Sequence, residues 1–219
     1  MASFPDLLSP LQKEILDAVS GDLPGLFLTG STALGPFHLG HRRSADLDLF
    51  TRVRDGYDPL VRQFVALMAG KGLKLVPGNA GPGFRRFVVS DSREDVPVDL
   101  VLDTTPQIAD PLLTSNGLAV DSLEDIAANK LGAIVGRSEI RDYVDLYFLA
   151  KAGRDPFASL EAAQRKDGGI DAATLAFVLS EIKVRRDPEG LEKPLSASEL
   201  ESFIAELRHR FAKAAFPKP

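Results

Sequence analysis

The sequence predicts an α+β protein, a mixed sheet with flanking helices followed by a helical carboxy-terminal region. Three observations carry that reading. Short apolar or alternating runs bounded by Gly, Pro and Asp recur as far as Leu102, which is strand patterning. Segments with helical 3.6-residue spacing are interleaved with those runs. From Asp155 onward every periodic segment has the helical spacing. The division expected from this change is a sheet-bearing region over 1–115 and a helical region over 116–219.

Taken in order, Ser9–Val19 reads as a short helix with Leu11, Ile15, Ala18 and Val19 on one side. Leu26–Leu28 is a brief strand ended by Gly30. A helix from Ser31 towards Phe37 is expected to be interrupted near Pro36, because proline has no N–H to donate. Asp46–Thr51 alternates and is the next strand. Asp58 is expected as the N-cap and Pro59 as the first-turn residue of a helix through Leu60, Phe64, Leu67 and Met68, closed by Gly70 and Gly72. Leu73–Val76, Phe84–Ser90 and Val96–Leu102 are three further strands, with NAGPG as a hairpin turn between the first two. Ser122 opens a helix to Val135, Ile140–Ala150 forms another, and Pro156–Arg165, Asp171–Val184 and Ser198–Ala214 complete the helical region.

Composition narrows the function classes. Of 219 residues, 44% are hydrophobic and 26% charged, as in an ordinary globular protein. No apolar run approaches the roughly 20 residues that span a bilayer. MASFPDLLSPLQKEIL has no basic region followed by an apolar core, so no secretory leader is expected. The absence of cysteine excludes disulfides and thiolate metal sites. A cytoplasmic protein without membrane partners is the expectation. The net charge of −5 argues against a uniformly basic surface, yet three doublets, Arg42/Arg43, Arg85/Arg86 and Arg185/Arg186, could neutralise phosphates if they converged.

The segment Leu28–Phe50, LTGSTALGPFHLGHRRSADLDLF, carries the chemistry. Asp46 and Asp48 flank Leu47, so in a strand both carboxylates face one way while Leu47 and Leu49 enter the core. Two carboxylates held that close repel unless a cation lies between them. An oxygen-only donor set suits Mg²⁺ (or Mn²⁺), which completes its shell with water and phosphate oxygens. Upstream, Gly30 and Ser31 can offer backbone N–H groups and a hydroxyl to a phosphate at a turn that opens a helix.

Further along, VPVDLVLD puts Asp99, Val101 and Asp103 on one strand face and Val98, Leu100 and Leu102 on the other. Asp99 lies among apolar neighbours, where an unpaired carboxylate is costly, although a strand-edge residue facing solvent would look the same. Asp103 stands at the strand end beside Thr104 and suits a turn cap. On the helix from Ser122, Lys130 projects from the stripe of Leu123, Ile126, Ala127, Leu131 and Ile134. It either snorkels to water or reaches a phosphate. Asp142 and Asp145 share a helix face, and Arg141 is spaced to pair with Asp145 at the surface. DLDLFT superficially fits the phosphatase loop Asp-x-Asp-x-x-Thr, but that loop needs an apolar strand before it, and here HRRSA precedes. His38, His41 and His209 form no catalytic or metal constellation.

Gly-Ser followed at a distance by Asp-x-Asp resembles the nucleotidyltransferase pattern of the DNA-polymerase-beta-like superfamily. The fuller string TGSTAL…LGHRRSADLDLF is similar to the AbiEii/AbiGii toxin nucleotidyltransferases, MenT-like proteins among them. Those usually open with Gly-Gly-Thr-Ala-Leu, where this chain has Thr29 and Ser31 at the two departures. The match covers about the first 150 residues. The resemblance implies a polymerase-beta-like mixed sheet and an enzyme that moves an NMP from an NTP to an acceptor hydroxyl with release of pyrophosphate. It assigns Asp46, Asp48 and Asp99 to the metal and to catalysis. It adds Lys130 and Asp145 from the helical region, through a lysine followed by Arg-Asp-x-x-Asp. Gly30, Ser31, Thr32, Arg43, Ser44 and Lys130 would bind the nucleotide. The implied acceptor is RNA, in particular a tRNA end, and the implied partner a separately encoded antitoxin. A small hydroxylated acceptor such as an aminoglycoside, and a non-catalytic nucleotide-binding relative, are the alternatives.

Overall fold

The computed structural model describes residues 4–216. Met1–Ser3, part of the stretch expected to lack a leader, and Pro217–Pro219 lie outside the described residues. The chain forms two compact units, one of the residues up to Thr104 with Asp110–Asp121, the other of Thr105–Ala109 with the residues from Ser122 on.

All strands lie in the first unit, in the order α1 (Pro10–Asp22), β1 (Phe27–Thr29), α2 (Gly30–Thr32), a π-helical segment Ala33–Leu39, β2 (Leu47–Thr51), α3 (Tyr57–Gly70), β3 (Lys74–Gly81), β4 (Phe84–Ser90), β5 (Asp95–Leu102), β6 (Leu112–Leu113) and β7 (Ala119–Val120). They make one mixed sheet, ordered β3-β4-β5-β2-β1-β7-β6. β2 runs parallel to β5 and β7 parallel to β1, while the other pairs are antiparallel. Strand alternation assigns the two faces. Leu47, Leu49, Val98 and Leu100 are fully buried on one of them. α1 packs on β5 and on α3, and α3 packs on β3. The Phe64 ring of α3 lies 6.0 Å from Phe87 of β4, and Leu11, Ile15, Leu16 and Val19 of α1 are all at zero exposure. The helices therefore seal the leucine face and leave the aspartate face for chemistry.

α1 begins where the sequence says, with Ser9 and Gln12 closing a reciprocal capping box. Three expectations need correction. Pro36 does not interrupt the helical segment after β1. It sits near the start of a π turn, where a missing N–H costs little, and Gly40 N–H closes the segment by donating to Gly35 O at 2.6 Å. Asp58 is not an N-cap: α3 starts earlier, at Tyr57 with Gly56 as cap. Tyr57 is drawn inside and donates its hydroxyl to Leu100 O at 2.9 Å, which fixes the first turn one step sooner. NAGPG is mostly strand, since β3 continues to Gly81 and the turn is Pro82-Gly83 alone, with Gly83 at φ +66°. The two-residue strands β6 and β7 were too short to show alternation in the sequence.

The second unit is helical: α4 (Leu123–Gly136), α5 (Ile140–Lys151), α6 (Leu160–Lys166), α7 (Ala172–Glu181) and α8 (Ala197–Ala215). Ser122, Asp171 and Ser196 cap α4, α7 and α8 through their side chains. α6 is shorter than the pattern suggested, because Phe157–Ser159 is spent on turns. α4 packs on α5, α6 and α7, and α8 on α5 and α7. No helix among the described residues is long and apolar enough to cross a membrane.

Two ionic clusters lie inside this unit. Asp125, at zero exposure, accepts from Ser122 Oγ and from the N–H groups of Ile108 and Ala109, and pairs with Lys166 at 2.7 Å. That cluster fastens Thr105–Ala109 to α4. The other is centred on Lys130, only 4% exposed, whose Nζ lies 2.9 Å from Asp142 Oδ1 and 2.6 Å from Asp145 Oδ2. Arg137 completes it with two bonds of 2.8 Å to Asp142. The snorkelling alternative for Lys130 is thereby corrected, and so is the surface pair Arg141–Asp145. Arg141 is exposed and bonds Glu139 at 2.6 Å, whereas Asp142 and Asp145 share the inward face.

Burial alone would push the Asp142 carboxyl up, but Arg137 and Lys130 outweigh it and hold the group below the ordinary carboxylate value. A lowered folded-state pKa stabilises above the unfolded value of about 3.9 and is lost as the pH falls through the folded value. Wild type should therefore lose stability in urea titrations as the pH drops below about 4, and Asp142→Asn should lack that part of the pH dependence. Lys130→Met strands two buried carboxylates and should cost about 3–5 kcal/mol at pH 7 in the same assay. A cost below about 1 kcal/mol, the range of surface pairs, would show that the cluster contributes little to holding α4 on α5.

Candidate active site

The aspartate face is assembled by register. Thr29 of β1 pairs with Asp48 of β2, Asp48 with Asp99 of β5, and Asp99 with Arg86 of β4. Four neighbouring strands thus place Arg86, Asp99, Asp48 and Thr29 in one row across the sheet. The rows on either side, Phe87–Val98–Leu47 and Leu100–Leu49–Leu28, belong to the core. β5 is an interior strand, so Asp99 is not the solvent-facing edge residue that its sequence also allowed.

Gly30 closes against this row. It has φ +68°, and a Cβ there would lie 1.9 Å from Asp48 Oδ2 and 2.8 Å from its Cγ. Only glycine satisfies both the left-handed backbone and that approach. Asp46, just before β2, is held by two hydroxyls, and Gln12 anchors the residue that carries one of them. Ser44 Oγ donates to Asp46 Oδ1 at 2.6 Å, Thr32 Oγ1 donates to Asp46 O at 2.5 Å, and Gln12 Nε2 of α1 donates to Ser44 O at 2.8 Å. Thr32 is fully buried and Ser44 partly so. Ser44 thus positions the Asp46 carboxylate and Thr32 its backbone.

Ser31 Oγ accepts from Arg42 Nη2 at 2.8 Å, and Arg42 Nη1 donates to Arg43 O at 3.0 Å. Arg42 is 7% exposed, whereas Arg43 is exposed and reaches Leu7 O at 3.5 Å. Gly35 makes room for this loop, because a Cβ there would meet Arg42 O at 2.4 Å. His41 is fully buried. Thr29 donates to Asp121 Oδ2 at 2.7 Å, and the His38 ring bonds Asp121 O at 2.8 Å, which ties the end of β1 to the end of β7.

Arg86 was the residue sequence reasoning undervalued. Its guanidinium grips Asp99 with both arms, Nε to Oδ1 at 2.6 Å and Nη2 to Oδ2 at 2.5 Å. The bond to Asp99 and its charge hold Arg86 still more firmly protonated, against a smaller opposing effect of burial, and Asp46 and Asp48 add to the hold. All three carboxylates therefore act on one guanidinium. Arg85 points to the other face, towards Asp58 at 3.8 Å, so strand alternation splits the doublet. Only the register of β4 on β5 distinguishes the two, and single-strand periodicity does not supply it.

A divalent cation fits this row by donor chemistry. Carboxylate oxygens on adjacent strands, backed by a glycine that admits Asp48, form an oxygen-only donor set. Asp46, Asp48 and Asp99 are the residues that would hold Mg²⁺ or Mn²⁺. Among the described residues no three His, Cys, Asp or Glu side chains are already gathered closely enough for an ion, and Asp99 is committed to Arg86. Lys130 and Asp145 are bonded to one another in the second unit, as described above.

Comparison with known proteins agrees with the fold. No curated protein is similar enough in sequence to match. Two crystal structures from Helicobacter pylori share the fold. A candidate nucleotidyltransferase is 17% identical with a TM-score of 0.56, covering 94% of this chain and 99% of its own. JHP933 is 19% identical with a TM-score of 0.55, covering 95% and 96%. The mixed sheet with flanking helices, followed by a helical carboxy-terminal region, is the architecture that the resemblance implied. The model of the family described as "Nucleotidyl transferase AbiEii toxin, Type IV TA system" matches residues 14–216, and the chain therefore belongs to that family and is a nucleotidyltransferase.

Proposed function

We propose that the chain is a metal-dependent toxin that transfers an NMP from an NTP to a hydroxyl of RNA, with a tRNA end as the acceptor and a cognate antitoxin as its regulator. The observation that carries the reading is the placement of Asp48 beside Asp99 on parallel neighbours, with Gly30 closed against Asp48. In transfer, the acceptor oxygen attacks the α-phosphorus, the bond to the β-phosphate oxygen breaks, and pyrophosphate leaves. Asp46, Asp48 and Asp99 would hold the cation, and a carboxylate oxygen of Asp99 would also take the proton from the acceptor hydroxyl. When bound, Mg²⁺ or Mn²⁺ supplies charge neutralisation at the phosphoryl oxygens. Gly30 and Ser31 offer a backbone N–H and a hydroxyl to the triphosphate, with Arg42 behind Ser31 as a fixed positive charge. Arg86, which is bonded to Asp99 at the carboxylate row, favours an anionic acceptor over a polycationic one. An RNA target would place the protein in the cytoplasm.

The test is incubation with Mg²⁺, each α-labelled NTP in turn, and total bacterial tRNA. Label should appear on RNA with wild type, and the active NTP names the base. Asp48→Asn should abolish it with an unchanged circular dichroism spectrum, because the change removes repulsion rather than packing. Wild-type turnover in that variant would defeat the metal assignment, and label remaining free would turn the search to an aminoglycoside panel. Gly30→Ala should cut transfer about 100-fold by displacing Asp48. It should also lower stability by about 1–3 kcal/mol through the strained φ.

A further inference from the structure

The bidentate grip of Arg86 on Asp99 is built rather than incidental. Gly78, on the neighbouring β3, would place a Cβ 3.2 Å from Arg86 Cγ and 3.5 Å from its Cβ. The β3–β4 register slips between Pro77 and Ala80, at this same point. The sheet therefore makes space for the arginine stem, while the Arg86 side chain remains 45% exposed and the Asp99 side chain only 13%. A half-exposed fork can leave without unfolding anything; the carboxylate it holds stays fixed on an interior strand.

Resting on the metal-site reading above, we propose that Arg86 is the resident counter-cation of the carboxylate row, which a divalent ion must displace from Asp99 to complete its ligand set. The third carboxylate is then delivered only on metal loading. Binding of the ion and the Arg86–Asp99 bond are mutually exclusive, so each weakens the other by the same factor. Arg86 is a positioning residue in this scheme, acting through Asp99. The displaced guanidinium is left free for an anionic group of the substrate.

The experiment is Mn²⁺ titration of the purified full chain without nucleotide, followed by the electron paramagnetic resonance signal of free aqueous Mn²⁺. Wild type is compared with Arg86→Gln, Arg86→Lys, Arg85→Gln and Asp48→Asn, each checked for fold by circular dichroism. Removing the fork should tighten Mn²⁺ binding about tenfold in Arg86→Gln. Arg86→Lys keeps the charge but cannot grip both oxygens, so it should show a smaller rise in affinity, and it carries the test if the glutamine variant does not fold. Arg85→Gln loses the same charge from the opposite face and should bind as wild type does. Unchanged affinity in both Arg86 variants, with binding lost in Asp48→Asn, would overturn the displacement while leaving the metal site intact. An equal rise in Arg85→Gln and Arg86→Gln would reduce the effect to long-range charge and overturn it too. Equal Mn²⁺ affinity in wild type and Asp48→Asn would remove the metal site itself, and the proposal with it.

Discussion

The parallel register of β2 on β5 is the constraint on which the rest of the first unit depends. It sets Asp48 beside Asp99 on one face and Leu49 beside Leu100 on the other. A slip of one residue would turn leucines into the site and aspartates into the core. The two strands are therefore held in place by the burial of Leu47, Leu49, Val98 and Leu100 against α1 and α3, not by any attraction between the aspartates. Like charges on neighbouring strands oppose that pairing. The leucine face thus supplies the stability that lets the opposite face carry repulsive groups.

The loop between β1 and β2 has the complementary task of bringing small and polar groups against those charges. Gly30 approaches Asp48 more closely than any side chain would permit, and Gly35 lets the Arg42 backbone pass. The π segment that contains Gly35 spends one extra residue per ring. Thr32 and Ser44 then fix Asp46, and Gln12 ties the same loop to the amino end of α1. A capping box residue thus has two uses, since the Gln12 that accepts from Ser9 also donates to Ser44.

Residue patterns made the aspartates, the glycine turn and most elements legible, because each depends on spacing within one segment. Asp46 and Asp48 are separated from the leucines by strand period alone, and Ser122 announces α4 by its cap. What escaped the sequence depended on a second segment. Arg86 differs from Arg85 only through the register of β4 on β5, and Lys130 meets Asp142 and Asp145 only because α4 and α5 are packed together. The start of α3 was misjudged for the same reason: the partner of Tyr57 is Leu100 O, on a strand that lies 43 residues away. The two-residue strands β6 and β7 have no period to detect.

The two groups of charged residues divide by exposure, and the division bears on function. Lys130, Arg137, Asp142 and Asp145 interlock, with both carboxylates at zero exposure. Such a cluster exchanges a partner only at a large desolvation cost, and it links α4 to α5. Asp46, Asp48 and Asp99 are only partly buried, and the guanidinium that answers their field is half in solvent. A charge that is neutralised by a partner already touching water can be passed to an ion or a phosphate at small cost. Exchange of partners is what a site for an anionic substrate needs, and the row pairs a part-exposed arginine on β4 with less exposed carboxylates at β5 and β2.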